Sequence, residues 1–349
     1  MLLLASLCAI ALSGVDHAIV VSVDGLRPEL LAPGSVGEFP GLARLLRGPH
    51  TLAARCDPST TVTLPNHVGM VTGRLFAGER GHGWLGNVDP PKPGAGGTIE
   101  EMHGSYVPSM FDVASDRGVA TGVFAEKTKF VLLDQSYSET TGAPDATGAD
   151  DGRDKIDLFE TRADGASVAL EALRFLRACA HEQRRSLSLV HFAATDFAGH
   201  AHTWDLRPDS EYWKAAKAID RIIDALLTIL DADHALHGRV GIVLTTDHGG
   251  GDPPATHTTL TAPVNFTIPL AVWRGRDEAA RDLYELNAAT RARPAPTENS
   301  ATAAPPPIRN ADAGNLALEL LGLPPIESLS ADGRAPLVLE EPRGTSESQ

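Results

Sequence analysis

The chain has 349 residues, with 30 Lys plus Arg against 45 Asp plus Glu and a formal charge of −15 with His neutral. Such acidity argues against polymeric nucleic acid as a partner, because that binding rests on Lys and Arg neutralising many phosphates. A hydrophobic fraction of 42% and a charged fraction of 21% exclude wholesale disorder and a fibrous chain. Three Cys exclude a disulfide scaffold, although Cys56 and Cys179 remain free to pair. Thirteen His in so acidic a chain invite a search for metal ligands.

Residues 1–12 (MLLLASLCAIAL) are apolar, and Ala11-Leu12-Ser13 has the small-residue pattern of a secretory cleavage site. A signal peptide over residues 1–13 and a periplasmic or secreted protein are expected; the competing readings are a buried first strand or helix and a cytoplasmic protein. The run is too short to cross a bilayer, and no other stretch approaches about 18 apolar residues. Four later runs have strand length and near-continuous apolarity: Ala18–Val23, Val119–Ala125, Ser186–Ala193 and Val240–Thr245. That pattern predicts strands covered on both faces, as in a parallel sheet. Helical spacing marks Ala166–Ala180 and Tyr212–Leu230, the latter opened by Pro208, Asp209 and Ser210, and Asn315–Leu321 stops at Gly322. Alternating strands and helices predict an α/β fold, doubly wound, with a mostly parallel central sheet and helices on both faces. Its catalytic domain is expected over residues 14–335, and a disordered tail over 336–349. Two irregular segments, 138–157 and 290–310, read as solvated excursions, with lids, binding loops or disorder as the alternatives.

Three of the strands run into an acid: Asp24, Asp196 and Asp247. Any one of them alone reads as a cap or turn residue. Strand C-termini in an open α/β sheet face one crevice, however, and three acids gathered there would repel one another without a cation. His200 follows Asp196 by four residues and His248 follows Asp247 directly. Mixed carboxylate and imidazole ligands suit zinc, and five or six such groups exceed one tetrahedral ion, so two Zn2+ are expected. In Thr63-Leu64-Pro65-Asn66-His67, Pro65 suits a first helical turn and places Thr63 just before the helix, where free N–H groups favour an anion. A Thr there is ordinarily a cap; a neighbouring metal would make it a nucleophile.

These residues resemble the nucleotide pyrophosphatase/phosphodiesterase family within the alkaline phosphatase superfamily. The matching motifs, in family order, are Val23-Asp24-Gly25-Leu26-Arg27-Pro28, Thr63 to His67 with Val71-Thr72-Gly73, His82-Gly83 leading to Asn87, Thr195 to His200, and Thr246-Asp247-His248-Gly249. The resemblance implies an alkaline phosphatase-like fold and one zinc on Asp24, Thr63, Asp247 and His248. It implies a second zinc on Asp196, His200 and a third imidazole, with Asn87 bonding a phosphoryl oxygen. It further implies in-line attack by Thr63 to give a phosphothreonine that is then hydrolysed. The family's third His commonly lies far beyond the Asp-His-Gly motif. Here His257, nine residues after His248, is the last His in the chain and is assigned by elimination, with His202 as the fallback.

Lys127 and Lys129 in Ala125-Glu126-Lys127-Thr128-Lys129 resemble the lysine pair with which phosphonoacetate hydrolases and some phosphomonoesterases hold a dianion; a solvated pair is the alternative. The expected function is a di-zinc phosphodiesterase or nucleotide pyrophosphatase acting on a small phosphate ester. The alternatives are a phosphomonoesterase or phosphonatase using Lys127 and Lys129, a phosphoryl transferase on the same site, and a non-catalytic binding module. The chain lacks the Cys-x-Pro-x-Arg motif of a sulfatase. Phe39, Phe76, Trp84, Tyr106 and Tyr137 lie in segments that would line a nucleobase slot, with ordinary packing as the plainer reading.

Overall fold

Near-continuous apolar runs bury on both sides, and in the computed structural model they form the centre of one eight-stranded sheet. The structure describes residues 14–149, 152–276, 278–326 and 335–340; the expected signal segment lies outside them. The strands are β1 (His17–Val23), β2 (Pro49–Arg55), β3 (Ala120–Ala125), β4 (Leu158–Thr161), β5 (Ser186–Phe192), β6 (Val240–Thr245), β7 (Thr267–Trp273) and β8 (Arg281–Asp282), ordered β4-β3-β5-β1-β6-β7-β2-β8. The first five in that order run parallel. β7 is antiparallel to both β6 and β2, and β8 is parallel to β2. This is the expected α/β architecture.

The helices are α1 (Pro40–Leu45), α2 (Thr63–Thr72), α3 (Ile99–His103), α4 (Met110–Ser115), α5 (Val131–Ser136), α6 (Gly165–His181), α7 (Ala194–His202), α8 (Glu211–Ala232), α9 (Pro263–Phe266), α10 (Leu283–Leu286) and α11 (Ala313–Leu320). Successive strand side chains point to opposite faces, so β1 contributes Ala18 and Val20 to one core and Ile19, Val21 and Val23 to the other. α2, α4, α5 and α11 cover the first face, and α1, α6 and α8 the second. Cys56 belongs to one core and Cys179 to the other, each a buried free thiol, so the two do not pair.

Hydrogen bonds that capture backbone decide the state of two segments towards the end of the chain. The 290–310 segment is exposed over most of its length, as a solvated excursion would be, but it is not disordered: Arg55 donates to the carbonyls of Ala295 and Glu298, and Arg309 to those of Cys56 and Ser300 and to Asn299 Oδ1. The start of the supposed tail is not disordered either. Leu337 and Leu339 are buried, Val338 exchanges hydrogen bonds with Asn287, and Leu339 N–H donates to Glu319. Residues 341–349 lie outside the described residues. In the 138–157 segment, Lys155 is buried between Asp116 and Asp145.

Candidate active site

The parallel strands β3, β5, β1 and β6 lie side by side, and their C-terminal ends deliver Lys127, Asp196, Asp24 and Asp247 to one crevice. All three carboxylates are buried, at 0%, 3% and 0% exposure for Asp24, Asp196 and Asp247. Lys127 Nζ stands 2.6 Å from Asp24 Oδ2 and 2.7 Å from Asp196 Oδ2. One ammonium does not balance three carboxylates, and the charge distributes unevenly. Against the opposing effect of burial, Lys127 and His191 hold Asp24 well below the usual carboxylate range, while burial and the Asp24 charge push Asp247 up to about 7.

Two overlapping sets of side chains have ligand atoms within 4.8 Å of one another: Asp24, Asp247 and His248, and Asp196, His248 and His257. Burial ordinarily demands that every polar atom find a partner. Here Asp24 Oδ1, Asp247 Oδ2, Asp196 Oδ1 and His248 Nε2 are buried without a hydrogen bond. The imidazoles present lone pairs to the same region. His248 Nδ1 bonds the Gly249 carbonyl at 2.8 Å and His200 Nδ1 that of Ala255 at 3.0 Å, so each Nδ1 carries the proton and each Nε2 is left as an acceptor. His200 Nε2 is 3.3 Å from Asp196 Oδ1. The His257 ring stacks on that of His248 with centroids 3.6 Å apart, and burial holds its pKa down to about 3, the neutral form a ligand requires. His202, the fallback, lies exposed at the end of α7. The donor set therefore fits a divalent metal.

Thr63 is the first residue of α2, with Val62 as the cap, so the helix begins at Thr63 rather than after it. Pro65, the third helical residue, has no N–H and so removes one donor that the first turn would leave unpaired. Asn66 fixes this corner by donating to the carbonyls of Thr60 and Val62 and accepting from Asp57 N–H and Asn310 Nδ2. Asn87 Oδ1 accepts from Leu64 N–H at 3.1 Å and from Lys129 Nζ at 2.7 Å, which leaves its Nδ2 to donate elsewhere. Burial, aided by the Lys127 charge, lowers Lys129 to about 8. Thr63, Asn87, Lys127, Lys129, Asp196, His200 and His257 line one cavity of about 580 Å³.

Several residues that support this arrangement were not singled out from the sequence. His191 Nε2 lies 3.0 Å from Asp24 Oδ2, and Thr195 Oγ1 donates to the Asp24 carbonyl. Asn310 Nδ2 donates to the Asp247 carbonyl, and Thr61 Oγ1 donates to that of His257. Trp204 Nε1 donates to the Gly25 carbonyl, and its ring lies so close to Gly199 and Gly250 that a Cβ would come within 2.3 Å and 2.2 Å of it. An imidazole among the apolar residues Leu189-Val190-His191-Phe192 at the end of β5 was the one available signal. The proposed nucleobase aromatics disperse: Phe39, Trp84 and Tyr137 are buried in the cores, and none of the five lines the cavity.

A model of the type I phosphodiesterase/nucleotide pyrophosphatase family matches residues 18–264. The chain belongs to this family. No curated protein sequence matches it. Among solved structures, an alkaline phosphatase superfamily protein from Vibrio parahaemolyticus superposes with a TM-score of 0.56 at 13% identity, covering 88% of this chain and 67% of that one. The lipoteichoic acid synthase LtaP from Listeria monocytogenes gives 0.56 at 13%, covering 89% and 72%. A 2-O glycosaminoglycan sulfatase gives 0.55 at 11%, covering 93% and 76%. At these identities the likeness establishes the fold, which is that of the alkaline phosphatase superfamily, and the family match indicates a phosphoester hydrolase. Among the described residues no helix is long and apolar enough to cross a membrane.

Proposed function

We propose that the protein is a di-zinc hydrolase of small phosphate esters, of the phosphodiesterase or nucleotide pyrophosphatase type, with Thr63 as nucleophile. The observation that carries this reading is the set of buried, unbonded acceptors Asp24 Oδ1, Asp196 Oδ1, Asp247 Oδ2 and His248 Nε2, of which Asp196 lines the same cavity as Thr63. Asp24, Asp247, His248 and Thr63 would hold one zinc, and Asp196, His200 and His257 the other. When bound, the pair supplies Lewis-acid stabilisation of charge on the phosphoryl oxygens and favours the alkoxide form of Thr63.

Within that frame, Thr63 Oγ1 attacks phosphorus in line, the bond to the leaving oxygen breaks, and the leaving group departs with that electron pair. The phosphothreonine is then cleaved by water, which restores the Thr63 hydroxyl. Asn87 Nδ2 donates to a non-bridging oxygen, an interaction most valuable as charge builds in the transition state. The family assignment and the crevice position favour this over a binding module, and the −15 charge favours small esters over nucleic acid polymers. A second reading, a phosphomonoesterase or phosphonatase, draws on Lys127 and on Lys129, whose Nζ reaches Asn87 at the cavity wall.

The test is metal analysis of the purified protein together with nitrophenyl phosphate, bis-nitrophenyl phosphate, thymidine nitrophenyl phosphate and phosphonoacetate as substrates, each also offered to Thr63→Ala. Two zinc ions per chain with a diester preference support the reading. Magnesium or calcium in their place, or a Thr63→Ala protein as active as the parent, defeats it. A His257→Ala protein that keeps both zinc ions and full activity defeats that ligand assignment alone.

A further inference from the structure

Two apolar side chains stand bare at the mouth of the cavity that Thr63 lines. Val88 is 75% exposed and Phe197 54%, and both belong to the wall of that 580 Å³ space. A single exposed apolar residue is ordinary surface. What sets these two apart is how firmly they are held. Val88 lies between Asn87, bonded to Leu64 N–H and Lys129 Nζ, and Asp89, whose Oδ1 accepts the Thr128 hydroxyl at 2.8 Å. With both neighbours tied to other residues that line the cavity, and Gln135 Nε2 donating to the Pro91 carbonyl just beyond, the loop carries Val88 at a fixed place on the rim. Phe197 follows Asp196 in the first turn of α7, and its ring centroid is 5.3 Å from Lys127 Nζ, the ammonium that binds Asp24 and Asp196. Its ring is thereby referenced to the same carboxylates as the inner site.

The cavity thus has two chemistries: carboxylates, imidazoles, Lys129 and Asn87 inside, and two unburied apolar surfaces at its edge. We propose that Val88 and Phe197 form a binding site for an apolar group, aryl or branched alkyl, carried by the ester that Thr63 attacks. This rests on the phosphoester reading above and adds the substrate class. Burying such a group would remove the rim from water, the one gain that this exposed surface offers.

The experiment is calorimetric titration of the zinc-loaded full-length protein with phenylphosphonate, methylphosphonate and thymidine monophosphate. The parent is expected to bind phenylphosphonate about tenfold more tightly than methylphosphonate, the scale at which an apolar pocket discriminates by size. Phe197→Ala and Val88→Asn should each lower that ratio by about threefold or more, and Phe197→Leu, which keeps an apolar surface, should retain most of it. Equal binding of the two phosphonates by the parent, a ratio unchanged in both variants, or thymidine monophosphate as the tightest ligand overturns the inference. If the parent hydrolyses nitrophenyl esters while failing these tests, the hydrolase reading stands and only the rim falls. A zinc-loaded parent that binds none of the three ligands and cleaves no ester defeats both.

Discussion

The molecule buries charge in two places and by opposite means. Around Arg55 and Arg309, beside β2 and the 290–310 segment, guanidinium N–H groups meet backbone carbonyls, and the segment is pinned in place. At the ends of β3, β5, β1 and β6, one ammonium bonds two of three carboxylates, and several acceptors are left with no partner. Saturated burial holds structure, whereas unsaturated burial keeps a site ready for a cation and a substrate. Equal degrees of burial therefore carry different meanings, and the hydrogen-bond account tells them apart.

Four perturbations would sharpen or break that contrast. The largest effect is expected for Thr63→Ala, which removes the proposed nucleophile: kcat falls by about 10³-fold or more while thermal stability stays near that of the parent. Nitrophenyl ester turnover and a melting curve check both halves, and a melting temperature that fell with activity would return Thr63 to a structural role. Arg309→Met should do the reverse, costing about 3–5 kcal/mol in urea unfolding because it leaves buried acceptors unpaired. Folded variant protein should keep a KM close to the parent's.

Lys127→Met tests the strand-end crevice itself. Removing the shared ammonium should destabilise the chelator-treated protein by about 3 kcal/mol, and added zinc should reduce that deficit. A variant whose stability is unchanged and whose defect is confined to KM would instead assign Lys127 to the substrate. The smallest effect is expected for Glu319, whose carboxyl, raised to about 7 by burial, accepts from Leu339 N–H. A carboxyl raised on folding contributes stability that is full below its unfolded pKa and declines as pH climbs through the folded value. The decline should fall between about pH 4.5 and 7, so Glu319→Gln should gain about 2.5 kcal/mol on the parent at pH 8 relative to pH 5. Equal differences at both pH values would show that Glu319 does not set this window.

The sequence made the parallel centre of the sheet legible and its other side opaque. Val240–Thr245 forms β6 with the expected bounds, because an apolar run buried on both faces is its own signal. β7 was missed because Pro269 interrupts Thr267–Trp273, and β2 because its burial is mixed and its register shifts between Thr51 and Ala54. Among site residues, strand-end acids and their neighbouring imidazoles were legible because chain direction alone brings them to one edge. His191, Asn310 and Thr61 were not, since each acts on a residue 167, 63 or 196 positions away. Phe197 stood in plain view within Asp196 to His200, but only its exposure distinguishes it from packing.

The indole of Trp204 reaches all three acid-bearing motifs at once, bonding Gly25 and lying against Gly199 and Gly250. The glycines after Asp196 and Asp247 therefore do not vary independently. An alanine at either position would displace the same ring, and once the ring has moved, the second alanine meets less resistance. The double variant Gly199→Ala/Gly250→Ala should cost less than the sum of the two single changes, and a smaller side chain at 204 would admit the alanine at 199, while Gly250, at φ +158°, would keep its backbone strain. What reads in the sequence as three separate signatures is, in the folded protein, a single epistatic unit with tryptophan at its hinge.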